Sequence, residues 1–190
     1  MDSLFPTNIL HDYDVLSAEE LAALLGVVDI EVRHSKPFIH ELREADKLSE
    51  HIVGLCHEYM AFHSYKRHDL EITGMWYNVQ KKGQSHHPHT HPNTYLSGVF
   101  YLQSDPRCPP IVFTDSRNIG SILPAHSDDT VHNAISWNYR PVANSVIIFP
   151  SSLQHYVASS QSDTHRISVS FNVMIRGEAG AVDDLTNIKW

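Results

Sequence analysis

Apolar positions at Leu21, Leu24, Leu25 and Val28 recur at helical spacing, and Ser17-Ala18-Glu19-Glu20 just before them is a capping-box sequence. A helix is therefore expected to start near residue 18. The same spacing returns in Leu48, Ile52, Leu55, Tyr59 and Phe62, which predicts a second amphipathic helix over residues 48–65 on the same side of the molecule. Beyond residue 70 the pattern changes to short β-rich runs at 72–79, 95–102, 111–114, 133–138, 145–149 and 166–175. Gly83, Pro88, Pro92, Pro106, Pro109, Pro110, Pro124 and Pro150 punctuate those runs, as turns between the strands of a sandwich or barrel require.

Helices followed by an all-β body give a mainly β fold: a double-stranded β-helix (jelly roll, cupin-like) core with N-terminal helices packed on one sheet. No repeat or linker divides the chain, and 190 residues are the size of one domain. The expected layout is a single domain over 1–190, with a helical buttress at 1–70, a jelly-roll core at 71–176 and a tail at 177–190. Gly177, Gly180 and the acidic pair Asp183 and Asp184 make that tail read as a loose end.

Charge and cysteines narrow the function. The net charge of −8 comes from 22 acidic against 14 basic residues, with no lysine or arginine run dense enough to track phosphates, which argues against nucleic acid. Cys56 and Cys108 are isolated, with no disulfide framework and no Cys-x-x-Cys motif, as a reducing cytoplasm would have it. The first ten residues lack a signal-peptide pattern, and no segment approaches the roughly 18 uninterrupted apolar residues of a membrane helix. A cytoplasmic protein without a membrane partner is expected, with a homodimer among the oligomeric states open to it.

The 15 histidines prompt a search for ligand spacing. The densest group is His86-His87-Pro88-His89-Thr90-His91-Pro92-Asn93, directly before the run from Tyr95 to Leu102. In an extended segment residues two apart share a face, so His89 and His91 can present two imidazoles to one point. A facial metal site needs a third ligand from a strand remote in sequence. His155, where Phe149-Pro150-Ser151-Ser152-Leu153-Gln154-His155 turns out of an apolar strand, is placed to supply it. In Arg166-Ile167-Ser168-Val169-Ser170-Phe171-Asn172-Val173, strict alternation puts Arg166, Ser168, Ser170 and Asn172 on one polar face. That face is either exterior or suited to a dicarboxylate, which a guanidinium fork pairs bidentately beside a hydroxyl.

Six blocks carry a resemblance: Leu4-Phe5-Pro6-Thr7, Trp76-Tyr77-Asn78, Pro88-His89-Thr90-His91-Pro92-Asn93, Ser97-Gly98-Val99-Phe100-Tyr101-Leu102, the segment from Phe149 to His155, and Arg166-Ile167-Ser168-Val169-Ser170-Phe171-Asn172. In this order they resemble a group of 2-oxoglutarate-Fe(II) oxygenases found largely in bacteria and phages. The resemblance implies a jelly-roll core, with Fe(II), 2-oxoglutarate as cosubstrate and O2. It makes His89, His91 and His155 the metal ligands and catalytic centre, and Arg166 with Ser168 the anchor of the far carboxylate of 2-oxoglutarate. Tyr101 falls where related hydroxylases place a tyrosine on that carboxylate, and Asn78 at the pocket mouth. The implied reaction is hydroxylation of an unidentified small molecule or amino-acid residue, coupled to decarboxylation of 2-oxoglutarate to succinate and CO2.

Two departures stand out. His89-Thr90-His91 occupies the place of the superfamily's usual His-x-Asp, which makes the metal site one charge more positive. Asn144 stands where a glycine commonly opens the strand before the distal histidine, a position asparagine tolerates because it adopts left-handed backbone. Two other readings of the same residues stay open: a three-histidine metalloenzyme that uses no keto acid, and a non-enzymatic metal- or ligand-binding module. Asp115 and Arg117 either contact substrate or pair with one another at a strand end.

Overall fold

The computed structural model describes residues 5–117, 124–180 and 188–189. Leu4 of the first block and the acidic pair Asp183 and Asp184 lie outside the described residues.

Strand β1 (Leu10–Tyr13) opens the described chain and is followed by helix α1 (Ala18–Gly26). The capping box forms as its sequence dictates: the Glu20 amide donates to Ser17 Oγ at 3.3 Å, and the Ser17 amide donates to Glu20 Oε2 at 2.8 Å. Two short 3-10 turns, Ile39–Glu41 and Arg43–Ala45, lead into helix α2 (Asp46–Phe62). The helix stops three residues short of the expected end, where His63 Nδ1 donates to the Tyr59 carbonyl and Ser64 takes left-handed backbone with φ 58°.

The strands that follow are β2 (Asp69–Gln80), β3 (His86–His89), β4 (Leu96–Gln103), β5 (Ile111–Thr114), β6 (Ser136–Tyr139), β7 (Ser145–Pro150), β8 (His155–Val157) and β9 (Arg166–Arg176). They form two antiparallel sheets, one of five strands in the order β1-β7-β4-β9-β2 and one of four in the order β3-β8-β5-β6. This is the jelly roll. The C-terminal segment also contributes a small hairpin of β10 (Glu178–Ala179) with β11 (Ile188–Lys189), where the sequence suggested only a loose end.

The apolar pattern divides into two cores. Leu24, Leu48, Ile52 and Leu55 of the helices pack with Phe100, Val169, Phe171 and Val173 on the outer face of the five-stranded sheet. Val99, Ile147 and Phe149 of its inner face meet Ile111, Phe113 and Val157 of the smaller sheet. The central strands are therefore buried on both faces, and the polar face of β9 points between the sheets: Arg166 and Ser168 are each only 2% exposed. The exterior reading of that alternation is corrected.

Two expected boundaries move for local reasons. The run at 133–138 becomes β6 only from Ser136, because the Asn133 side chain accepts from the Thr130 amide and donates to the Asp128 carbonyl, closing a turn. Asn144 has φ 61°, as a left-handed residue should, and its side-chain amide brackets Leu16 by accepting from that residue's N–H and donating to its C=O.

Candidate functional site

The three histidines singled out by spacing come together. One ligand nitrogen from each of His89, His91 and His155 lies within 4.8 Å of the others. Register brings them there: His89 ends β3 and pairs directly with His155 at the start of β8, while the His91 amide bonds the Ser151 carbonyl in the approach to that strand. Pro88 is tolerated in β3 because that strand is a sheet edge, where a missing N–H breaks no ladder.

Backbone carbonyls fix the tautomers. His89 Nδ1 lies 2.7 Å from the His87 carbonyl and His155 Nδ1 lies 2.9 Å from the Leu153 carbonyl. A carbonyl only accepts, so both Nδ1 atoms carry the proton and both Nε2 atoms keep a lone pair. His91 Nε2 sits 3.3 Å from His155 Nε2. Burial pushes the pKa values of His91 and His155 down to about 4, so both rings are neutral, ligand-ready imidazoles near pH 7. Their donor chemistry, ring nitrogens of three imidazoles converging from two strand ends, fits a divalent first-row metal.

Arg166, Ser168 and Asn78 line the same cleft as the three histidines, a narrow space of about 70 Å³ between the sheets. Arg166 Nη1 donates to Ser168 Oγ at 3.3 Å, and its Nε is buried without a partner. No carboxylate pairs with it among the described residues. Tyr101 does not line the cleft. It is fully buried, with the Arg166 guanidinium carbon 4.9 Å from its ring centroid and its own hydroxyl without a partner.

Asn78 holds a polar chain across the cleft wall. Its Nδ2 donates to Ser170 Oγ at 2.9 Å, and its Oδ1 accepts from His34 Nδ1 at 2.7 Å. His34 arrives on a short segment that bridges to the edge of β2, through Ser35 N to Tyr77 O and Val79 N to Arg33 O. His86 completes this side of the cleft, its ring edge-on to His34 at 5.6 Å, with burial pushing its pKa to about 4. Sequence reasoning missed His34, His86 and Ser170 as site residues. Ser170 was on the polar face already noted and His86 in the histidine group, whereas nothing local marks His34.

Residues 74–172 match the family model described as "Putative 2OG-Fe(II) oxygenase", a span of just over half the chain. The chain belongs to the 2OG-Fe(II) oxygenase family. This oxygenase shares its fold with several solved structures. Over 94% of its length it is similar to 81% of the alpha-ketoglutarate-dependent epimerase SnoN from nogalamycin biosynthesis, at TM-score 0.66 and 14% identity. Over 90% it is similar to 89% of a Pseudomonas putida prolyl-4-hydroxylase, at TM-score 0.61 and 15% identity. Over 97% it is similar to 91% of HygX from Streptomyces hygroscopicus with nickel and 2-oxoglutarate bound, at TM-score 0.64 and 10% identity. The sequence has no match among curated proteins. As a member of its family the oxygenase uses Fe(II), 2-oxoglutarate and O2.

Proposed function

We propose that this oxygenase holds Fe(II) on His89, His91 and His155, anchors 2-oxoglutarate on Arg166 and Ser168, and hydroxylates a small molecule or an amino-acid residue. The observation that carries the reading is the buried guanidinium. A cation that is 2% exposed, with no acid partner among the described residues, is costly unless a ligand supplies the counter-charge. A dicarboxylate held between the histidine cluster and Arg166 would supply it, with its far carboxylate on the guanidinium fork beside the Ser168 hydroxyl.

When bound, the iron supplies the redox chemistry that couples loss of CO2 from 2-oxoglutarate to oxidation of the substrate, leaving succinate. The protein's residues bind, orient and exclude water. The His87 and Leu153 carbonyls hold two ligand rings in the tautomer a metal requires. Val99, Ile111, Phe149 and Val157 line the cleft with apolar surface that keeps it dry. Tyr101 supports the guanidinium from outside the cleft through its ring face, while Asn78 caps the opposite wall through His34 and Ser170.

The substrate class draws on fold neighbours. SnoN has been crystallised with Fe3+, alpha ketoglutarate and nogalamycin RO, HygX with hygromycin B, and the Pseudomonas putida enzyme is a prolyl hydroxylase. The decisive experiment is anaerobic addition of 2-oxoglutarate to the Fe(II)-loaded protein. A visible charge-transfer band is expected, and its absence with iron bound would sink the reading in favour of a keto-acid-independent metalloenzyme.

A further inference from the structure

Two buried polar atoms beside the metal cleft have no hydrogen-bond partner among the described residues, Oε1 of Gln80 and Nε of Arg166. We propose that Gln80 is a positioning residue for Arg166, its carboxamide oxygen taking the Nε–H and turning both Nη groups toward the far carboxylate of 2-oxoglutarate. The inference rests on the anchoring role given to Arg166 above and deepens it.

Strand pairing puts the two residues side by side. Gln80 is the direct partner of Arg166 in the ladder of β2 with β9, and directly opposed side chains share a face of the sheet. Met75, Tyr77 and Val79 of β2 enter the core under the helices, so the alternate positions Trp76, Asn78 and Gln80 fall on the face between the sheets, where Trp76 and Asn78 line the cleft. Gln80 is 1% exposed and Arg166 2%, so neither orphaned atom can turn to bulk water.

The carboxamide is held in one orientation. Gln80 Nε2 donates to the Gln84 carbonyl at 2.7 Å and to the Ala158 carbonyl at 3.1 Å, which uses both of its hydrogens. A carbonyl only accepts, so the amide cannot be reversed and Oε1 stays an acceptor. The Gln84 carbonyl is itself fixed. The turn from Lys81 to Gln84, with Gly83 at φ 80°, is tied to the segment after β8, where the Gly83 amide donates to the Ser160 carbonyl at 2.8 Å and the Ser160 amide donates to the Gln84 carbonyl at 2.9 Å.

The guanidinium has the complementary need. Its carbon lies over the Tyr101 ring, 4.9 Å from the centroid, and Nη1 donates to Ser168 Oγ at 3.3 Å, which leaves the Nε–H as a buried donor without an acceptor. One bond from Arg166 Nε to Gln80 Oε1, closed as the cosubstrate draws the fork into the cleft, satisfies two atoms that are each costly to bury unpaired. It also selects the edge of the guanidinium that the carboxylate meets. With Nε taken, the two Nη groups remain for a bidentate contact.

The test titrates 2-oxoglutarate and pyruvate, a keto acid without the far carboxylate, into the Fe(II)-loaded full chain without oxygen and reads the charge-transfer band. Gln80→Met removes the oxygen at similar volume and should weaken 2-oxoglutarate about tenfold while leaving pyruvate unchanged, a split that general damage to the site does not produce. Gln80→Glu keeps the shape, but its carboxylate pairs with Arg166 and cancels the charge the cosubstrate needs, so the preference for 2-oxoglutarate should fall about a hundredfold. Its melting temperature should be no lower than that of Gln80→Met. Equal weakening of both keto acids, an unchanged preference in either variant, or a Gln80→Glu protein much less stable than Gln80→Met would each overturn the assignment, the last because the new carboxylate would then be buried away from the guanidinium. Tyr101→Phe should keep the preference; its loss there, with Gln80→Met unaffected, would give the Nε–H to the tyrosine hydroxyl instead. A wild-type protein that shows no band with either keto acid overturns the oxygenase reading, whereas a wild-type band with unchanged preference in the variants overturns the role of Gln80 alone.

Discussion

Arg166 concentrates the argument at the scale of single residues, because in the proposed function the same guanidinium is a liability without ligand and an anchor with it. Removing one partner of a buried charge-assisted pair costs roughly 2–5 kcal/mol, so Arg166→Ala should weaken 2-oxoglutarate binding by about a hundredfold. Arg166→Lys should recover only part of the loss, since an ammonium offers a point charge in place of a planar fork. Arg166→Met should likewise lose the cosubstrate yet raise the melting temperature of the metal-free protein, because it replaces an unpaired buried cation with apolar volume. Metal content should survive all three changes, and undiminished 2-oxoglutarate affinity in Arg166→Ala would remove the anchor from the reading. The second residue of interest is His91. A carboxylate is the commoner ligand at its position in the superfamily, so His91→Asp should keep iron, measured by metal analysis after gel filtration. Complete loss of iron with the fold intact would mean that the site is built for three imidazoles alone.

At the scale of elements, β4 shows how tightly the site's scaffold is packed. A Cβ on Gly98 would overlap the Phe171 ring and come within 2.6 Å of the Ile147 carbonyl oxygen, in the middle of the five-stranded sheet. Gly98→Ala should therefore cost about 1–3 kcal/mol of stability, as overpacking does, seen as a lower urea midpoint at unchanged slope; an unchanged midpoint would mean that Phe171 yields freely. Elements with a sustained period were legible in the sequence. The alternation from Arg166 to Val173 and the helical spacing from Leu48 to Phe62 each repeat often enough to identify β9 and α2. Strands β1, β3 and β8 are three or four residues long and exist because of their neighbours, so no local period announced them. The alternation on β9 also could not say which face was inside, since that depends on the second sheet lying over it. Likewise the meeting of His89, His91 and His155 was legible from i, i+2 spacing and a motif-like turn, but the contact of His34 with Asn78 joins residues 44 apart and is created only by the fold.

For the whole molecule, burying uncharged histidines together ties stability to pH. Burial pushes His86, His91 and His155 down to about 4, whereas in the unfolded chain each titrates near the ordinary value of about 6.5. Between those two values the unfolded chain binds protons that the folded protein refuses. Stability is therefore complete above about pH 6.5 and is lost as pH falls toward about 4. His11 and His57 are lowered by burial as well and act in the same direction, while the exposed His126, raised by its hydrogen bond to Asp129, opposes them. General charge repulsion also runs the other way: the chain carries a net −8 at pH 7, which acidification relieves. Carboxylates held low by hydrogen bonds, such as Glu20, Glu71 and Asp105, add to the loss only below about pH 5, so a decline between pH 7 and pH 5 comes from the buried histidines. Urea midpoints of the metal-free protein should fall steadily from pH 7 to pH 5, with a proton uptake on unfolding that approaches about three. His86→Gln should reduce that uptake by about one while leaving metal content unchanged. Saturating metal should raise stability at pH 7 and steepen the loss, because protons and metal compete for the same nitrogens of His89, His91 and His155. A flat stability profile between pH 7 and pH 5 would mean that these rings are protonated as easily in the folded protein as in water, and the picture of a dry, neutral ligand cluster between the sheets would fail.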